Sequence, residues 1–200
     1  MEDKKQAYII IGRSGCGKGT QADLLIKYLK NDLNKKVFDL QTGDKFRDFI
    51  KGEGYTNGLA KEIGDRGELQ PMFLVLSLWA TALIENLAGD EDLVLDGMPR
   101  KKDQADVLHS VFDFYGYGKP KVIYINVSRE WAEEKLLARG RGDDEAEKIK
   151  NRQDWFDTDV IPVLDFYKNH EDYEFLDING DQVIEDVHEE IMNKIGDFEL

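Results

Sequence analysis

The sequence predicts one α/β domain built around a buried parallel sheet. Three features predict it. Short runs rich in Ile and Val recur along the chain, too apolar for a sheet with one wet face. Stretches of helical periodicity separate them. A glycine-rich loop joins the first such run to the first helix. At 200 residues the chain suits a single domain and can bury a sizeable core without a disulfide or metal staple.

Ala7–Ile11 (AYIII) reads as the first strand, and Lys18–Lys30 as an amphipathic helix with Leu24, Leu25, Tyr28 and Leu29 on one side. Val37–Leu40 is a second short strand. Residues 43–70 hold no strand but many polar residues and glycines, and read as a small helical excursion. The longest apolar stretch, Met72–Ile84, contains Ser77 and Thr81 and falls short of the roughly 20 residues that span a bilayer. It reads as part of a buried helix over 71–88. Asp92–Asp96 is the third strand, Val122–Val127 (VIYINV) the fourth and Tyr173–Ile178 the fifth. Helices are expected over 101–114, 129–138 and 144–169, with Pro162 kinking the last. Asp181–Ile195 closes the chain as a helix. The abrupt ARGRGDD at 138–144 interrupts the alternation.

Lys and Arg number 27 against 41 Asp and Glu, a net charge of −14. A chain so acidic is a poor general binder of nucleic acid or anionic membrane, so any positive site must be local. With 41% hydrophobic residues and only 4 prolines it is neither disordered nor of low complexity. A single cysteine, Cys16, excludes an internal disulfide and any multi-cysteine metal site. The charged opening Met1–Gln6 does not resemble a secretory leader. These features lead us to expect a cytoplasmic monomer.

After the first strand comes GRSGCGKGT, residues 12–20, and then a helix. Gly12, Gly17 and Lys18 have the spacing of a phosphate loop. Glycines let successive backbone N–H groups point inward at phosphate oxygens, and the following helix adds its positive end. Lys18 then reaches the outer phosphates as a point charge. An ordinary glycine-rich turn would not need Lys18 there. Gly19 follows the lysine where Ser or Thr usually meets Mg²⁺, and Thr20 comes one position later. Cys16 reads either as a small filler side chain or as a redox-sensitive thiol at a helix N-terminus.

The segment Asp96-Gly97-Met98-Pro99-Arg100 ends a strand, where open α/β sheets bind ligands. There Asp96 can hold Mg²⁺ or its water, and Arg100 can take a phosphate in a bidentate fork. The alternative is a turn with surface charges.

Four patterns now stand in one order: GxxGxGKGTQ at 12–21, TGDxxR at 42–47, DGxPRxxxQ at 96–104 and RxRxDD at 139–144. Together they resemble the adenylate kinases over about residues 7–195. The resemblance implies a five-stranded parallel sheet flanked by helices, the phosphate-loop nucleoside monophosphate kinase fold. Its core would comprise 1–41, 72–138 and 145–200, its NMP-binding region 42–71, and its minimal lid 139–144. It implies ATP + AMP ⇌ 2 ADP with Mg²⁺, serving adenine nucleotide homeostasis.

The same resemblance gives Gly15, Cys16, Gly17, Lys18, Gly19 and Thr20 to the ATP phosphates. Lys135 stands where an arginine usually lies over the ATP adenine, and Gln182 would meet that base through its carbonyl. Thr42, Arg47, Glu68, Leu69, Gln70, Gly97, Met98, Pro99, Arg100 and Gln104 would form the AMP pocket, with Arg47 and Arg100 on the AMP phosphate. Arg139, Arg141 and Arg152 would converge on the transferred group, Arg139 from the ATP side and the other two reaching AMP. Lys18, Arg100, Arg139, Arg141 and Arg152 are thus the expected catalytic set, and Asp96 the expected Mg²⁺ residue, through water. Phosphoryl transfer asks for position and positive charge rather than covalent chemistry, which this set can supply.

The chain departs from the family in places. Only Gly140 separates Arg139 from Arg141, where relatives carry several residues, so the lid is a bare turn. No Cys or His lies between 110 and 169, which excludes a zinc-binding lid, and no zinc is expected. His109, His170 and His188 are far apart in sequence and read as ordinary helix or loop residues. Gln70 stands where an aliphatic residue is usual. Gln104, an amide that can pair with adenine, and Thr42 favour AMP over the uridylate/cytidylate alternative. The other alternative, a nucleotide sensor that has lost catalysis with its lid, would not need all the arginines.

Overall fold

A computed structural model describes residues 5–141 and 144–196. Gly142 and Asp143, which fall in the expected lid turn, lie outside them. Strands β1 (Ala7–Gly12), β2 (Val37–Gln41), β3 (Asp92–Asp96), β4 (Lys121–Asn126) and β5 (Glu174–Asn179) form one parallel sheet in the order β2-β3-β1-β4-β5. All five lie within a residue or so of their expected positions. Alternate residues of each strand face opposite sides. Ile9, Leu93, Leu95 and Val122 pack with Trp79, Leu108, Phe112, Phe156 and Tyr167 on one face. Ile10, Val94, Ile123 and Ile125 pack with Leu25, Leu29, Ile191 and Met192 on the other. Both faces are thus buried, as the unbroken apolar strands require.

Helices α1 (Lys18–Asn31), α4 (Met72–Asn86), α5 (Lys102–Tyr115) and α6 (Arg129–Arg139) fall where the periodicity places them. The 43–70 excursion contains α2 (Thr42–Phe49) and α3 (Tyr55–Asp65). The stretch expected as one helix over 144–169 is divided. It runs as α7 (Ala146–Trp155), a π-helical turn (Phe156–Val160) and α8 (Ile161–Lys168), with Pro162 in the first turn of α8. Proline there loses no helical hydrogen bond, so the break sits before it. The closing helix α9 (Ile184–Ile195) begins later than expected. Asp181 and Gln182 are drawn into a turn instead: Asp181 N–H donates to Asn179 Oδ1 and Gln182 Nε2 donates to Asn179 O.

The carboxyl ends of the strands carry several of the expected site residues. Asp96 pairs in register with Gln41 on one side and Ile10 on the other. The sheet therefore sets Thr42, Asp96 and the loop after Gly12 side by side.

Candidate active site

The loop after β1 turns back on itself, Cys16 N–H donating to Arg13 O at 3.1 Å. Gly15 has φ +94°, and a Cβ there would stand 2.6 Å from Ala132 O, so only glycine fits against α6. Gly17, also left-handed, caps α1. Lys18 Nζ donates to Arg13 O at 3.3 Å, which lays the ammonium across the loop mouth. Cys16 is buried, its Sγ packed beneath Gly12. Burial pushes its thiol up, against the pull of Lys18. Its burial favours the filler reading.

Asp96 ends β3 in a buried position. Burial raises its carboxyl above the usual range, while Lys18 and Arg100 pull it down. Its Oδ1 has no partner among the described residues. An atom added at Gly97 Cα would lie 3.5 Å from Arg100 Nη2 and 3.7 Å from Lys18 Cε, so the two cations flank that glycine. The peptide Met98-Pro99 is cis. Arg100 is positioned by its own loop: Nε donates to Gly97 O at 2.9 Å, and its backbone N–H donates to Gln104 Oε1 at 2.8 Å. Its guanidinium lies over the Trp155 ring at 5.1 Å. Burial lowers its pKa, and Arg152 and Arg47 add to that against Asp96. Repulsion among these cations is what a doubly charged phosphate relieves.

On the acceptor side Thr42 is buried with its Oγ1 unpartnered among the described residues. Arg47 sits one turn along α2, paired with Asp44 and folded over Gly43. Glu68 is engaged elsewhere, accepting both Nε and Nη2 of Arg66 at 2.9 Å. Gln70 Nε2 donates to Ala60 O at 2.7 Å, fastening the end of the excursion to α3, and its buried Oε1 has no partner among the described residues. Leu69 is half-buried beside them.

The arginines of the 139–152 segment are organised by one carboxylate. Ser128 caps the start of α6, and Gly140, left-handed, ends it, so Arg139 is its last residue. Arg139 donates Nε and Nη2 to Asp144 at 2.9 and 2.8 Å. Arg152 Nη2 donates to the same carboxylate at 3.0 Å, and Arg141 backbone N–H at 3.1 Å. The Asp144 side chain is 0% exposed. Burial alone would raise its pKa, but these donors outweigh it and bring it down to about 2. Arg139 and Arg152 are thus brought together, while the Arg141 residue is exposed in the turn.

Two ATP-side expectations meet different surroundings. Lys135 is exposed, its ammonium 5.0 Å from the Trp131 ring centroid on the same helix. Gln182 is tied down, its amide donating to Asn179 O and to Glu190 Oε2 at 2.9 Å. Thr20 is exposed on the first turn of α1, and a Cβ on Gly19 would lie 3.5 Å from Asp96 Oδ2.

Sequence reasoning gave no role to five residues. Asp144 entered it only within the RxRxDD pattern. Arg13, Gln153 and Asp157 form a brace behind the phosphate loop. Arg13 pairs with Asp157 and lies over Phe156 at 4.5 Å, and Gln153 Nε2 donates to Ser14 O at 3.2 Å. Arg129, at the start of α6, reaches the same Asp157 at 3.4 Å. The only hint was an arginine inside a glycine loop. Gln153, wholly buried, gave none.

A phosphate loop on the first strand of this sheet, facing a buried Asp and an arginine cluster, defines the class as phosphate-loop nucleotide kinases. The sequence model of the family described as Adenylate kinase matches residues 10–172. The chain is 34% identical to Adenylate kinase 1 of Nostoc sp. over 94% of its own length and 97% of that protein's. It is 32% identical to Adenylate kinase of Corynebacterium glutamicum over 94% and 98%, and 31% identical to Adenylate kinase of Prochlorococcus marinus over 96% and 99%. The chain belongs to the adenylate kinase family.

Proposed function

We propose that the chain moves a phosphoryl group from ATP to AMP, giving two ADP, with ATP on the 12–20 loop and AMP between 42–71 and Arg100. Membership of the family supports the reaction. The observation that carries the site is the meeting of Lys18, Asp96 and Arg100 around Gly97. In this reading Lys18 and the loop N–H groups neutralise charge between the ATP phosphates. Arg47 and Arg100 hold the AMP phosphate in line as nucleophile, and Arg139, Arg141 and Arg152 surround the group in flight. Asp144 holds two of them at fixed spacing.

Thr42 and Gln104 address the acceptor base. Gln104 Oε1 already accepts from Arg100 N–H, so its Nε2, unpartnered among the described residues, is the end that can donate to adenine. Gly15, Cys16, Gly17, Gly19 and Thr20 contact phosphate through backbone and hydroxyl, Lys135 borders the ATP base, and Gln182 offers that base its backbone carbonyl. Glu68, Leu69, Gln70, Met98 and Pro99 complete the AMP wall.

The residues present fit Mg²⁺. The Asp96 carboxylate, its buried Oδ1 without a partner among the described residues and its Oδ2 facing Gly19, suits a hard cation held through water. Bound with ATP, the ion would neutralise phosphate oxygens. We further assign residues 139–144 as a minimal lid and expect a cytoplasmic monomer acting on free nucleotides. That assignment is supported by the helices on either side, α6 ending at Arg139 and α7 starting at Ala146. Among the described residues no helix is long and apolar enough to cross a membrane.

A coupled assay of ADP formation with AMP, CMP, UMP and GMP tests the reading. AMP is expected to be the preferred acceptor by at least tenfold in kcat/KM. Equal use of CMP or UMP would reject the assignment of Thr42 and Gln104.

A further inference from the structure

His109 and His170, far apart in sequence, meet at the amino ends of the strands, opposite the phosphate loop. Their ring centroids are 5.3 Å apart. His109 projects from α5, and His170 and Asp172 lie in the turn between α8 and β5. One ligand atom from each of His109, His170 and Asp172 falls within 4.8 Å of the others. We propose that these three side chains form a site for a divalent transition metal of the Zn²⁺, Ni²⁺ or Cu²⁺ kind, tying α5 to the turn that leads into β5.

The donor chemistry selects the metal class. Two imidazoles and a carboxylate suit borderline ions and give little to Mg²⁺, which prefers oxygen and keeps its water. Within the trio, the His170–Asp172 spacing is near that of a coordination shell. Ligands at 2.0–2.1 Å from a tetrahedral ion stand about 3.4 Å from each other. His170 Nδ1 is 3.7 Å from Asp172 Oδ2, and His109 Nε2 is 3.7 Å from Asp113 Oδ2, a second carboxylate within reach. Side-chain shifts within one rotamer can close these gaps, because the residues concerned are exposed or half-exposed.

The second ring nitrogen of His109 is already provided for. Its Nδ1 lies 2.8 Å from the Tyr173 hydroxyl. With a metal on Nε2, Nδ1 carries the proton and donates to that oxygen, the outer partner that metal-binding histidines require. His109 and Asp172 border a cavity of about 310 Å³ that also touches Asp113 and Glu171, leaving room for a water as further ligand. Lys119 on its rim is the opposing charge. None of these residues belongs to the proposed nucleotide site, and the zinc-lid exclusion is unaffected.

The test is calorimetric titration of the untagged full chain with Zn²⁺ in a non-chelating buffer at pH 7.5. One saturable equivalent is expected, weakened at least tenfold by His109→Gln and by His170→Ala. His188→Ala, which removes a histidine bonded to Gln21 beside α9, controls for diffuse binding to an acidic surface and should bind as wild type. Co²⁺ should give the absorption of a four-coordinate ion in wild type and lose it in both variants, whose folding is checked by thermal melts. No saturable wild-type binding, or unchanged affinity in folded His109→Gln and His170→Ala, would overturn the proposal.

Discussion

At the scale of single residues, Asp144 shows how a buried charge serves by holding other charges. Its folded pKa, about 2, lies below the ordinary 3.8. The carboxylate therefore stabilises the fold above about pH 4, and that contribution is lost as pH falls from 4 toward 2. The shift corresponds to about 2 kcal/mol. Denaturant titrations between pH 2 and 7 should show this slope in wild type, and Asp144→Asn should lack it and be less stable by about that amount at neutral pH. A variant whose pH profile matches wild type would remove Asp144 from this role.

In the proposed reading Gln104 carries two duties at once. Gln104→Ala should lower kcat/KM for every acceptor, because Arg100 loses the group that holds its N–H. AMP should lose a further 1–3 kcal/mol or so, the worth of a base-specific hydrogen bond. An equal loss for AMP, CMP and UMP would confine Gln104 to positioning Arg100. The resemblance offered Gln104 as a base reader, since an amide suits adenine. It could not disclose the bond to Arg100, which depends on how the 96–100 loop closes onto the first turn of α5.

At the scale of elements, α7 joins the two halves of the site. It supplies Arg152 to Asp144, Gln153 to the phosphate loop, and Asn151 and Trp155 Nε1 to the carbonyls of Arg66 and Gly67 at 2.8 and 3.1 Å. Next to it, Asp157 in the π-helical turn takes Arg13 from the loop and Arg129 from α6. The bases of both helices flanking the 139–144 turn are therefore fastened behind the phosphate loop. Asp157→Asn should cost about 1 kcal/mol of stability, discounted for its partial exposure, and should raise KM for ATP more than KM for AMP. Equal changes in both would show that the brace acts on the whole site and not on the loop. None of this was visible in the sequence beyond helical periodicity: a π-turn has no signature there, and the expected Pro162 kink falls just past the true break.

At the scale of the molecule, the fold was legible because both faces of the sheet are buried. Continuous apolar strands cannot be mistaken for solvated ones, and the motifs sit at strand ends where register brings them together. The meeting of His109 with His170 was not legible, since no spacing rule relates residues on α5 to a turn before β5. The central claim is that the carboxyl edge of the sheet gathers positive charge for two nucleotides in a chain of net charge −14. ADP formation by Lys18→Ala, measured beside a thermal melt, tests it most directly. The account predicts a folded variant with kcat reduced about 10²–10³-fold, the scale of one lost electrostatic contact to the transition state. A folded Lys18→Ala enzyme with near wild-type turnover would contradict it.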